Sequence, residues 1–554
     1  MGLGRDPEWT TIITQIDPRG TSQDLSVAYF WMKCLVKVIL SSRIQNIVRL
    51  WSCRFHSRTT ISHLLENKYF SELLPLRSEK YLKAIEEEQF SVYLGIDPST
   101  SSLQLGNLVA IMGLLRCGTI GKNGIVVLGT STVCLGDPSG RTEKRNTESR
   151  EKYLANADSI EKQLGKIFQN YYEQFHPNFA SAKDVPSLKI LRNSDWLLRE
   201  DMMTFLMDIT THFRMTELLE KESVKLRLSV GHGMDLSEFL YPVLQAIDFL
   251  YLYQKFNSQL QIGGHDQLGN IACGLNLIHR KTGKYAFGLT VPLLTTPDGQ
   301  KLSKSISGSG MKPIWLDPKL ARPYSFYQRV LNLPDLCVSE KLLKQLSFFN
   351  PEQIDILLEE NRKSPDIRPV QHALARELTL LVHGVDGLQS AQLATRIFFP
   401  RAVNHGVQIR NPSSLDVIAN QLSFAEKNYL LECLSPTAQL LPVLHVPDPA
   451  SISDQTALVD WFRHILSRTE VDSPQKDVVF DRASKGVTVN DVVILPAGST
   501  SGQIALKMSE PDSGIWSEIT PRLAKALSSH VPSMGLHVVK IGKHEHWFVV
   551  NTRS

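Results

Sequence analysis

Apolar and polar positions along the first three hundred residues follow periods that predict both helices and strands. A helical period over residues 61–90 is carried by Leu64, Leu65, Tyr69 and Leu73. Further on, the pattern predicts strands at Ser91–Ile96, Gly124–Gly129, Gln259–Gly264 and Phe287–Leu294, and helices at Leu103–Leu115 and about 237–256. Gly118 marks the end of the first of these two helices, and Pro242 marks a start or a kink in the second. Strands that alternate with helices in this way predict an α/β fold with a parallel sheet.

The rest of the chain changes its pattern at several points, and these changes predict the domain boundaries. Residues 142–235 are polar and mostly helical in pattern, which predicts an insertion between two halves of the sheet. Residues 322–435 also read as helical, with a candidate core of Leu342, Leu346, Leu357, Leu374 and Leu378. Beyond about residue 437 the periods shorten and turn residues multiply, as in Val487–Pro496 and Val538–Val550. We therefore expect an extension at 1–60, an α/β domain at 61–320 with its insertion at about 142–235, a helical domain at 321–435 and a small α+β domain at 436–554.

Composition excludes several classes of protein. The chain has 554 residues, of which 42% are hydrophobic and 21% are charged, and at about 150 residues per domain it should hold three or four domains. A wholly disordered chain, a collagen-like chain and a disulfide-stapled miniprotein are excluded. No long uncharged apolar run is present, so we expect no transmembrane helix. The net charge of +4 is nearly balanced, so nucleic-acid binding would have to be local.

The cysteines give information about the cellular compartment. There are seven, and none of them forms a CxxC pair. This spacing argues against a structural zinc site and is typical of a reducing compartment.

Residues 25–63 have the character of a targeting sequence. They contain Lys and Arg but neither Asp nor Glu, and apolar residues are interspersed among the basic ones. A basic, amphipathic and acid-free segment is typical of a mitochondrial presequence, although this one begins well inside the chain. One hypothesis is that Met32 is the true start; the alternative is an unstructured basic tail.

The first segment that indicates chemistry is Tyr93–Asn107, where a predicted strand ends at Asp97-Pro98 and a helix begins near Leu103. The free N–H groups and the positive dipole end of a helix N-terminus suit a phosphate. The alternative is an ordinary turn capped by Ser101 or Ser102.

The second segment is Gly129–Arg145, a glycine-containing loop after a buried strand. Asp137 is suited to an ammonium group, while Arg141 and Arg145 are suited to phosphates. The segment lacks the GK[ST] sequence of a Walker A loop, and the alternative is a type I turn built on Asp-Pro-Ser-Gly.

The third segment places Tyr241, Gln245 and Asp248 on one face of an otherwise apolar helix. A polar stripe that ends in a carboxylate predicts a pocket wall, and the alternative is a solvent-facing stripe. The helix leads into Gln261–Gln267, whose glycines and amides suit a ribose and a small polar molecule. We interpret His265 as a plain loop histidine, because it has no partner at metal or triad spacing.

The fourth segment is Lys301–Ser305 (KLSKS), within a Gly/Ser-rich loop at 295–312. Two lysines in a flexible loop can fold over a polyphosphate, whereas the alternative is a solvated charged loop.

The order and joint occurrence of these segments resemble a class I aminoacyl-tRNA synthetase, specifically the bacterial and mitochondrial tyrosyl-tRNA synthetase family. The segments correspond to that family's HIGH region, GDPSG loop, tyrosine-pocket helix with QIGGxDQ, and KMSKS loop. The resemblance is dense over about residues 90–316, thinner over 322–435 and faint beyond. It implies a Rossmann-like catalytic domain, a helical anticodon-binding domain and a small RNA-binding C-terminal domain.

The resemblance also implies roles for individual residues. The tyrosine substrate would contact Tyr93, Thr132, Asp137, Tyr241, Gln245, Asp248, Gln261 and Gln267. ATP would contact Gly95, Asp97, Ser99, Gly106, Gly264, Asp266, Leu293, Leu294, Lys301, Ser303, Lys304 and Ser305. The residues expected to act directly in catalysis are Gln104, Asn107, Arg141, Arg145, Lys301 and Lys304.

The chain departs from the family at the HIGH signature, which here reads Gln104-Leu105-Gly106-Asn107. Both histidines are replaced by neutral amides, which still donate hydrogen bonds but cannot become cationic. If the transition state needs donors alone, we expect activity to survive, weakened by about 1–3 kcal/mol.

The implied activity is tyrosine–tRNA ligation, with ATP as substrate and magnesium on the leaving phosphates. The implied partners are L-tyrosine, tRNA(Tyr) and a second copy of the chain in a homodimer, in the mitochondrial matrix. Two alternatives remain open from the sequence. One is the sister enzyme for tryptophan, and the other is an RNA-binding protein on the same scaffold that assists group I intron folding, either bifunctional or without catalysis.

Overall fold

A computed structural model describes residues 60–75, 78–139, 148–175, 186–229, 233–294 and 313–399, and the backbone of five strands nearer the C-terminus. The chain divides into two units, Met1–Arg58 and Thr59–Ser554, and all the described residues belong to the second. The presequence hypothesis and the loop at 295–312 lie outside the described residues.

Within the described residues, six strands form one sheet at the centre of the α/β domain. They are β1 (Glu72–Leu74), β2 (Ser91–Ile96), β3 (Asn123–Leu128), β4 (Leu188–Arg192), β5 (Ser258–Gly264) and β6 (Phe287–Val291). Their order across the sheet is β1-β6-β5-β2-β3-β4, and all neighbours are parallel except β1 and β6. The predicted parallel sheet and its four predicted strands are confirmed. The chain runs from β2 to β3 and β4 on one side and then crosses to β5 and β6 on the other side of β2. The crevice beside β2 is therefore the topological switch point where ligands bind in such sheets.

Helices cover this sheet and continue into the segment that follows β4. The helices up to β6 are α1 (Ile61–Glu66), α2 (Glu79–Glu87), α3 (Leu105–Thr119), α4 (Arg150–Gln174), α5 (Ser194–Leu197), α6 (Met202–Thr204), α7 (Met215–Leu219), α8 (Glu222–Ser229), α9 (Leu236–Phe256) and α10 (Leu268–Thr282). The predicted helices appear as α3 and α9, and α9 begins before Pro242 and continues through it. Pro242 is the seventh residue of α9, so the helix lacks one hydrogen bond at this point, the bond that an N–H here would donate to the Glu238 carbonyl.

The helical prediction over residues 61–90 is confirmed at the two ends of the segment, as α1 and α2, and is wrong between them, where β1 lies. β1 pairs antiparallel with β6, joining Leu73 to Leu289, and Pro75 follows directly where a helix could not continue. Leu73 is therefore buried at a sheet edge and not on a helix face.

The expected insertion at about 142–235 is mostly helical, but it also contains a strand of the sheet. β4 pairs in parallel with β3, from Gly124 opposite Leu188 to Leu128 opposite Arg192. The side chains of β4 are only partly buried, as suits an edge strand, so the segment lacks the apolar run that marks the central strands.

The helical region after the sheet comprises α11 (Pro323–Leu331), α12 (Glu340–Leu346), α13 (Pro351–Lys363) and α14 (Pro369–Phe398). All five leucines predicted as its core are buried, which confirms that prediction. α14 departs from helical geometry at Gly384, whose φ is 77°. None of the helices in the described ranges is long and apolar enough to cross a membrane.

Nearer the C-terminus, five strands form a second sheet. They are β7 (Val443–Pro447), β8 (Val487–Val489), β9 (Val492–Leu495), β10 (Leu536–Ile541) and β11 (Glu545–Thr552), in the order β7-β11-β10-β8-β9. Strands therefore occur beyond residue 437, where the apolar pattern of the sequence shifts to shorter periods. The assignment of residues 436–554 to a separate RNA-binding domain stays a prediction.

Candidate active site

A cavity of about 390 Å³ opens at the carboxyl ends of the parallel strands, beside β2. Every predicted site residue that the structure describes lines this cavity: Tyr93, Gly95, Asp97, Ser99, Gln104, Gly106, Asn107, Thr132, Asp137, Tyr241, Gln245, Asp248, Gln261, Gly264, Asp266, Gln267, Leu293 and Leu294. Arg141, Arg145, Lys301, Ser303, Lys304 and Ser305 lie outside the described residues. The structure thus brings together residues from segments far apart in the sequence.

Asp248 forms the buried end of the cavity. It lies on α9 and is 5% exposed. Trp196 donates its indole Nε1–H to Oδ1 at 2.7 Å, and Asn193 donates from Nδ2 to Oδ2 at 3.1 Å. Burial raises the pKa of Asp248 to about 7, although these two hydrogen bonds act in the opposite direction. The carboxylate is held in one orientation, with its acceptor oxygens at the bottom of the pocket.

The hydroxyl of Tyr93 faces the same end of the cavity from β2. Tyr93 is 1% exposed, its ring meets Phe249 edge-on, and its hydroxyl has no hydrogen-bond partner among the described residues. Burial, and secondarily the charge of Asp248, raises the pKa of Tyr93 well above its usual value. A neutral hydroxyl and a carboxylate that interact electrostatically therefore line the same buried end of the cavity, where an unpaired polar group costs about 1–3 kcal/mol.

A second carboxylate, Asp137, lies in a ring of amides nearer the cavity mouth. Gln267 donates from Nε2 to Asp137 Oδ2 at 2.6 Å, and the Ser139 backbone N–H donates to Oδ1 at 3.0 Å. Asn270 lies within hydrogen-bond distance of both Asp137 and Gln245, at 3.3 and 3.1 Å. A carboxylate surrounded by amide groups that also carry acceptor oxygens is a suitable site for an ammonium group.

Asp97, directly after β2, links the two carboxylate pockets. The hydroxyl of Tyr241 donates to its Oδ2 at 2.8 Å, and that of Thr132 donates to its Oδ1 at 3.0 Å. Burial, and then the nearby charge of Asp97, raises the pKa of Tyr241 well above its usual value. Because the Tyr241 hydroxyl donates its hydrogen bond to Asp97, the lone pairs of its oxygen remain available as acceptors toward the cavity.

Two glycines allow the backbone to pass close to these carboxylates. A Cβ at Gly129 would lie 2.0 Å from Asp97 Oδ1, and one at Gly264 would lie 2.6 Å from Asp266 Oδ1. A side chain at either position would displace the carboxylate that it meets from its place at the cavity wall.

The other end of the cavity is formed by the turn between β2 and α3. Asn107 lies in the first turn of α3, and its Oδ1 accepts from the Gln104 backbone N–H at 2.9 Å. This contact directs the two N–H donors of the Asn107 amide away from the helix start. The cap by Ser101 or Ser102, which the sequence left open as the alternative, is not formed: Gln104 is the N-cap residue, and the Ser102 hydroxyl donates to the Leu103 carbonyl.

Sequence reasoning missed Asn193, Trp196 and Asn270. Asn193 and Trp196 follow β4 at its carboxyl end, inside the segment interpreted as a polar insertion. Asn270 comes one helical turn after Gln267, and this spacing is the signal in the sequence that places it on the same side of the helix as Gln267. His265 is half exposed and lies 3.7 Å from Glu72, in agreement with a loop histidine.

This domain has the architecture of the catalytic domain of a class I aminoacyl-tRNA synthetase. It combines the parallel sheet, a helix that begins at the turn lining the cavity, and the two carboxylate pockets. Residues 85–400 match the family described as tRNA synthetases class I (W and Y). The chain belongs to this family.

Curated relatives are similar over most of this region. The chain is 37% identical over 336 residues to the mitochondrial tyrosine–tRNA ligase of Homo sapiens. The aligned residues make up 61% of this chain and 68% of the relative. The mitochondrial enzyme of Drosophila melanogaster is 36% identical over 358 residues, which are 64% of this chain and 76% of that relative. The tyrosine–tRNA ligase of Listeria monocytogenes is 40% identical over 319 residues, which are 57% of this chain and 72% of that relative.

Solved structures agree with these relatives. A C-terminally truncated mitochondrial tyrosyl-tRNA synthetase of Aspergillus nidulans matches with a TM-score of 0.54 and 27% identity, over 62% of this chain and 95% of that one. The corresponding truncated enzyme of Coccidioides posadasii matches with a TM-score of 0.51 and 26% identity, over 68% and 100%.

Proposed function

We propose that this chain is a tyrosine–tRNA ligase. It activates L-tyrosine with ATP to tyrosyl-adenylate and pyrophosphate, and then transfers tyrosine to the terminal ribose of tRNA(Tyr). The observation that carries the proposal is the pair formed by the oriented Asp248 carboxylate and the Tyr93 hydroxyl at the buried end of the cavity. The names of the relatives support the same activity.

The pair selects a phenol by its hydrogen bonds. The phenol of tyrosine donates to Asp248 and accepts from Tyr93, so both buried groups gain a partner. A substrate without the hydroxyl would leave both groups buried and unpaired. Strong discrimination against phenylalanine is an established property of this enzyme type, and the pair offers a physical reason for it in this chain.

The amino end of tyrosine binds at the second carboxylate. Asp137 attracts the ammonium group, while the oxygens of Gln245 and Tyr241 accept its remaining N–H bonds. The tyrosine carboxylate then points toward the turn between β2 and α3, where ATP binds. Holding the two reactants in this geometry removes much of the entropic barrier to their reaction.

Activation is an in-line displacement at the α-phosphorus of ATP. A tyrosine carboxylate oxygen forms the new P–O bond as the bond to pyrophosphate breaks. Hydrogen-bond donors aimed at the developing charge stabilise the transition state, and we assign this role to Gln104 and Asn107, with Arg141, Arg145, Lys301 and Lys304 as the cations. In the second step the terminal ribose hydroxyl of tRNA attacks the adenylate carbonyl and AMP leaves.

Magnesium enters this proposal with ATP and not as a resident ion. Among the described residues, no group of three or more His, Cys, Asp or Glu side chains could hold a metal ion. We propose that magnesium would be bound by the ATP phosphates, and each step assigned to the protein above uses side-chain donors and cations only.

The Asn107→Ala variant tests the role of the substituted HIGH signature. Removing this neutral donor should lower kcat for adenylate formation by roughly 2- to 10-fold, because one hydrogen bond of about 0.5–1.5 kcal/mol is lost. The KM for tyrosine should not change, since Asn107 lies at the ATP end. Single-turnover adenylate formation measures the effect, and a higher KM for tyrosine with an unchanged kcat would contradict the assignment.

Pyrophosphate exchange measured with each standard amino acid tests the proposed function. Exchange should depend on tyrosine, and exchange with tryptophan only would show that the chain is the sister enzyme.

The intron-splicing alternative is not favoured by the described residues, and the relatives named above are ligases. RNA binding without any adenylate formation would favour that alternative.

We also propose that the enzyme is a homodimer. Of the fourteen large apolar side chains that are exposed among the described residues, ten lie between Leu198 and Leu236, in and around the short helices α6 to α8. Met202, Met207 and Leu236 are 74%, 65% and 69% exposed. So much exposed apolar surface in one segment marks an interaction site, and a second copy of the chain would cover it.

The Met207→Asp variant tests the dimer. A charge placed in the covered apolar surface should raise the dimer dissociation constant about tenfold or more. Sedimentation velocity over a concentration series measures this constant. Lys162→Gln, on a helix outside the segment, lowers the net charge by the same single unit and serves as the charge control. An unchanged sedimentation profile in Met207→Asp would contradict the proposed interface.

The remaining assignments follow from the same proposal. The names of the relatives support a mitochondrial location, and we propose the matrix as the compartment. We further propose that residues 61–320 form the catalytic domain, that residues 321–435 bind the anticodon arm, and that residues 436–554 bind RNA.

A further inference from the structure

Helix α4 carries three buried side-chain amides on one face. Asn156, Gln163 and Asn170 are spaced by seven residues, which places them in a line along the helix. They are 7%, 8% and 1% exposed. Polar side chains on a packed helix face require hydrogen-bond partners, and each of these amides bonds to the backbone of another segment.

The first two amides hold the turn between β2 and α3. Asn156 donates from Nδ2 to the Pro98 carbonyl at 3.1 Å. Gln163 donates from Nε2 to the Ser101 carbonyl at 2.9 Å and accepts at Oε1 from the Leu103 N–H at 3.0 Å. Asn156 and Gln163 thus bind the turn through its peptide groups at both of its ends.

The opposite side of the turn is fixed by the segment just before α11. Leu105 donates its N–H to the Ile314 carbonyl at 3.0 Å, and Leu316 donates to the Leu103 carbonyl at 2.9 Å. The Asp317 N–H donates to the Ser102 hydroxyl at 3.0 Å. With both sides held, the turn has little freedom to move.

The same turn presents Ser99, Gln104 and Asn107 to the cavity. We propose that Asn156 and Gln163 are positioning residues for adenylate formation: they set the place of these three side chains against the ATP phosphates without touching substrate. This inference rests on the proposed function, since it concerns the ATP end of that site. A displacement of the turn by a fraction of an ångström would then reduce the rate, because the reaction depends on alignment.

Asn170 provides a matched control on the same helix. It donates from Nδ2 to the Leu381 carbonyl of α14 at 2.9 Å, one turn before Gly384, and has no hydrogen bond with the turn. Its residue type, helix face and burial match those of Asn156. A variant at Asn170 therefore loses the same kind of buried hydrogen bond at a different place.

The experiment compares Asn156→Leu, Gln163→Met and Asn170→Leu, which keep side-chain volume and remove the amide. For the first two we expect kcat/KM for ATP in pyrophosphate exchange to fall about tenfold, with the KM for tyrosine unchanged. For Asn170→Leu we expect kcat/KM for ATP to stay close to that of the unsubstituted protein. The Tm should fall by about the same amount in all three variants, because each loses a buried amide. Equal losses of ATP turnover in all three variants, or none in the first two, would overturn the inference.

Hydrogen–deuterium exchange provides a readout that does not depend on activity. Amides of residues 99–105 should exchange faster in Gln163→Met than in Asn170→Leu, whereas amides near Leu381 should respond only to Asn170→Leu. Unchanged protection of the turn in Gln163→Met would overturn the positioning role even if the protein showed no ligase activity. Lack of pyrophosphate exchange in the unsubstituted protein would count against the proposed function alone.

Discussion

The Asp248→Asn variant should bind tyrosine about 100-fold more weakly than the unsubstituted protein, with ATP binding unchanged. A hydrogen bond to a charged group contributes about 1.5–3 kcal/mol, and the substitution removes the charged acceptor for the substrate phenol. Asparagine has one acceptor oxygen, while Trp196 and Asn193 donate to two separate oxygens of Asp248. The substituted amide would therefore satisfy one of these donors and direct an N–H toward the other or toward the phenol.

Equilibrium titrations with tyrosine and with ATP measure the two affinities separately. Asn107→Ala is the complementary variant, because it should leave tyrosine binding unchanged and slow the chemical step. If Asp248→Asn lost both affinities to the same extent, the fold and not the pocket would have failed. If it kept tyrosine affinity, the phenol would bind elsewhere.

The part of the site that could be predicted from the sequence lies where strand ends and polar residues coincide. Asp97 follows a recognisable buried strand, and Gln261 lies within another, so a parallel sheet brings them to one edge. Asp248 could be predicted from helical spacing, because a carboxylate on an apolar face requires a partner. These signals are local, and the sheet topology then assembles them.

The features that could not be predicted depend on pairing between distant segments. β1 has three residues and β4 is partly exposed, so neither carries the apolar run that marks a strand. Because β4 was not recognised, Asn193 and Trp196 at its carboxyl end were missed, although they orient the carboxylate that had been predicted. The amides of α4 were missed for a related reason: a buried Asn or Gln resembles a solvent-facing one until its backbone partner is known.

Tyrosine use should depend on pH through Asp248. Its pKa is raised by burial to about 7 from 3.8, so the carboxyl is increasingly protonated below neutral pH. The substrate phenol donates to the ionised form, and kcat/KM reports ionisations of the free enzyme. We therefore expect kcat/KM for tyrosine to fall about tenfold for each pH unit below 7 and to level off above it.

The Trp196→Phe variant should move this pH profile to higher pH. The indole N–H bond to Asp248 favours the ionised carboxylate, so its removal raises the pKa further and leaves less of the acceptor form at neutral pH. Tyr251 stacks on Trp196 with ring centroids 4.5 Å apart, and Tyr251→Phe is the control that alters this aromatic pair without altering the carboxylate. The measurement is kcat/KM for tyrosine between about pH 5.5 and 8.5. Superimposable profiles for Trp196→Phe and Tyr251→Phe would mean that ionisation of Asp248 does not govern tyrosine recognition, whereas a shift confined to Trp196→Phe would assign the titration to this carboxylate.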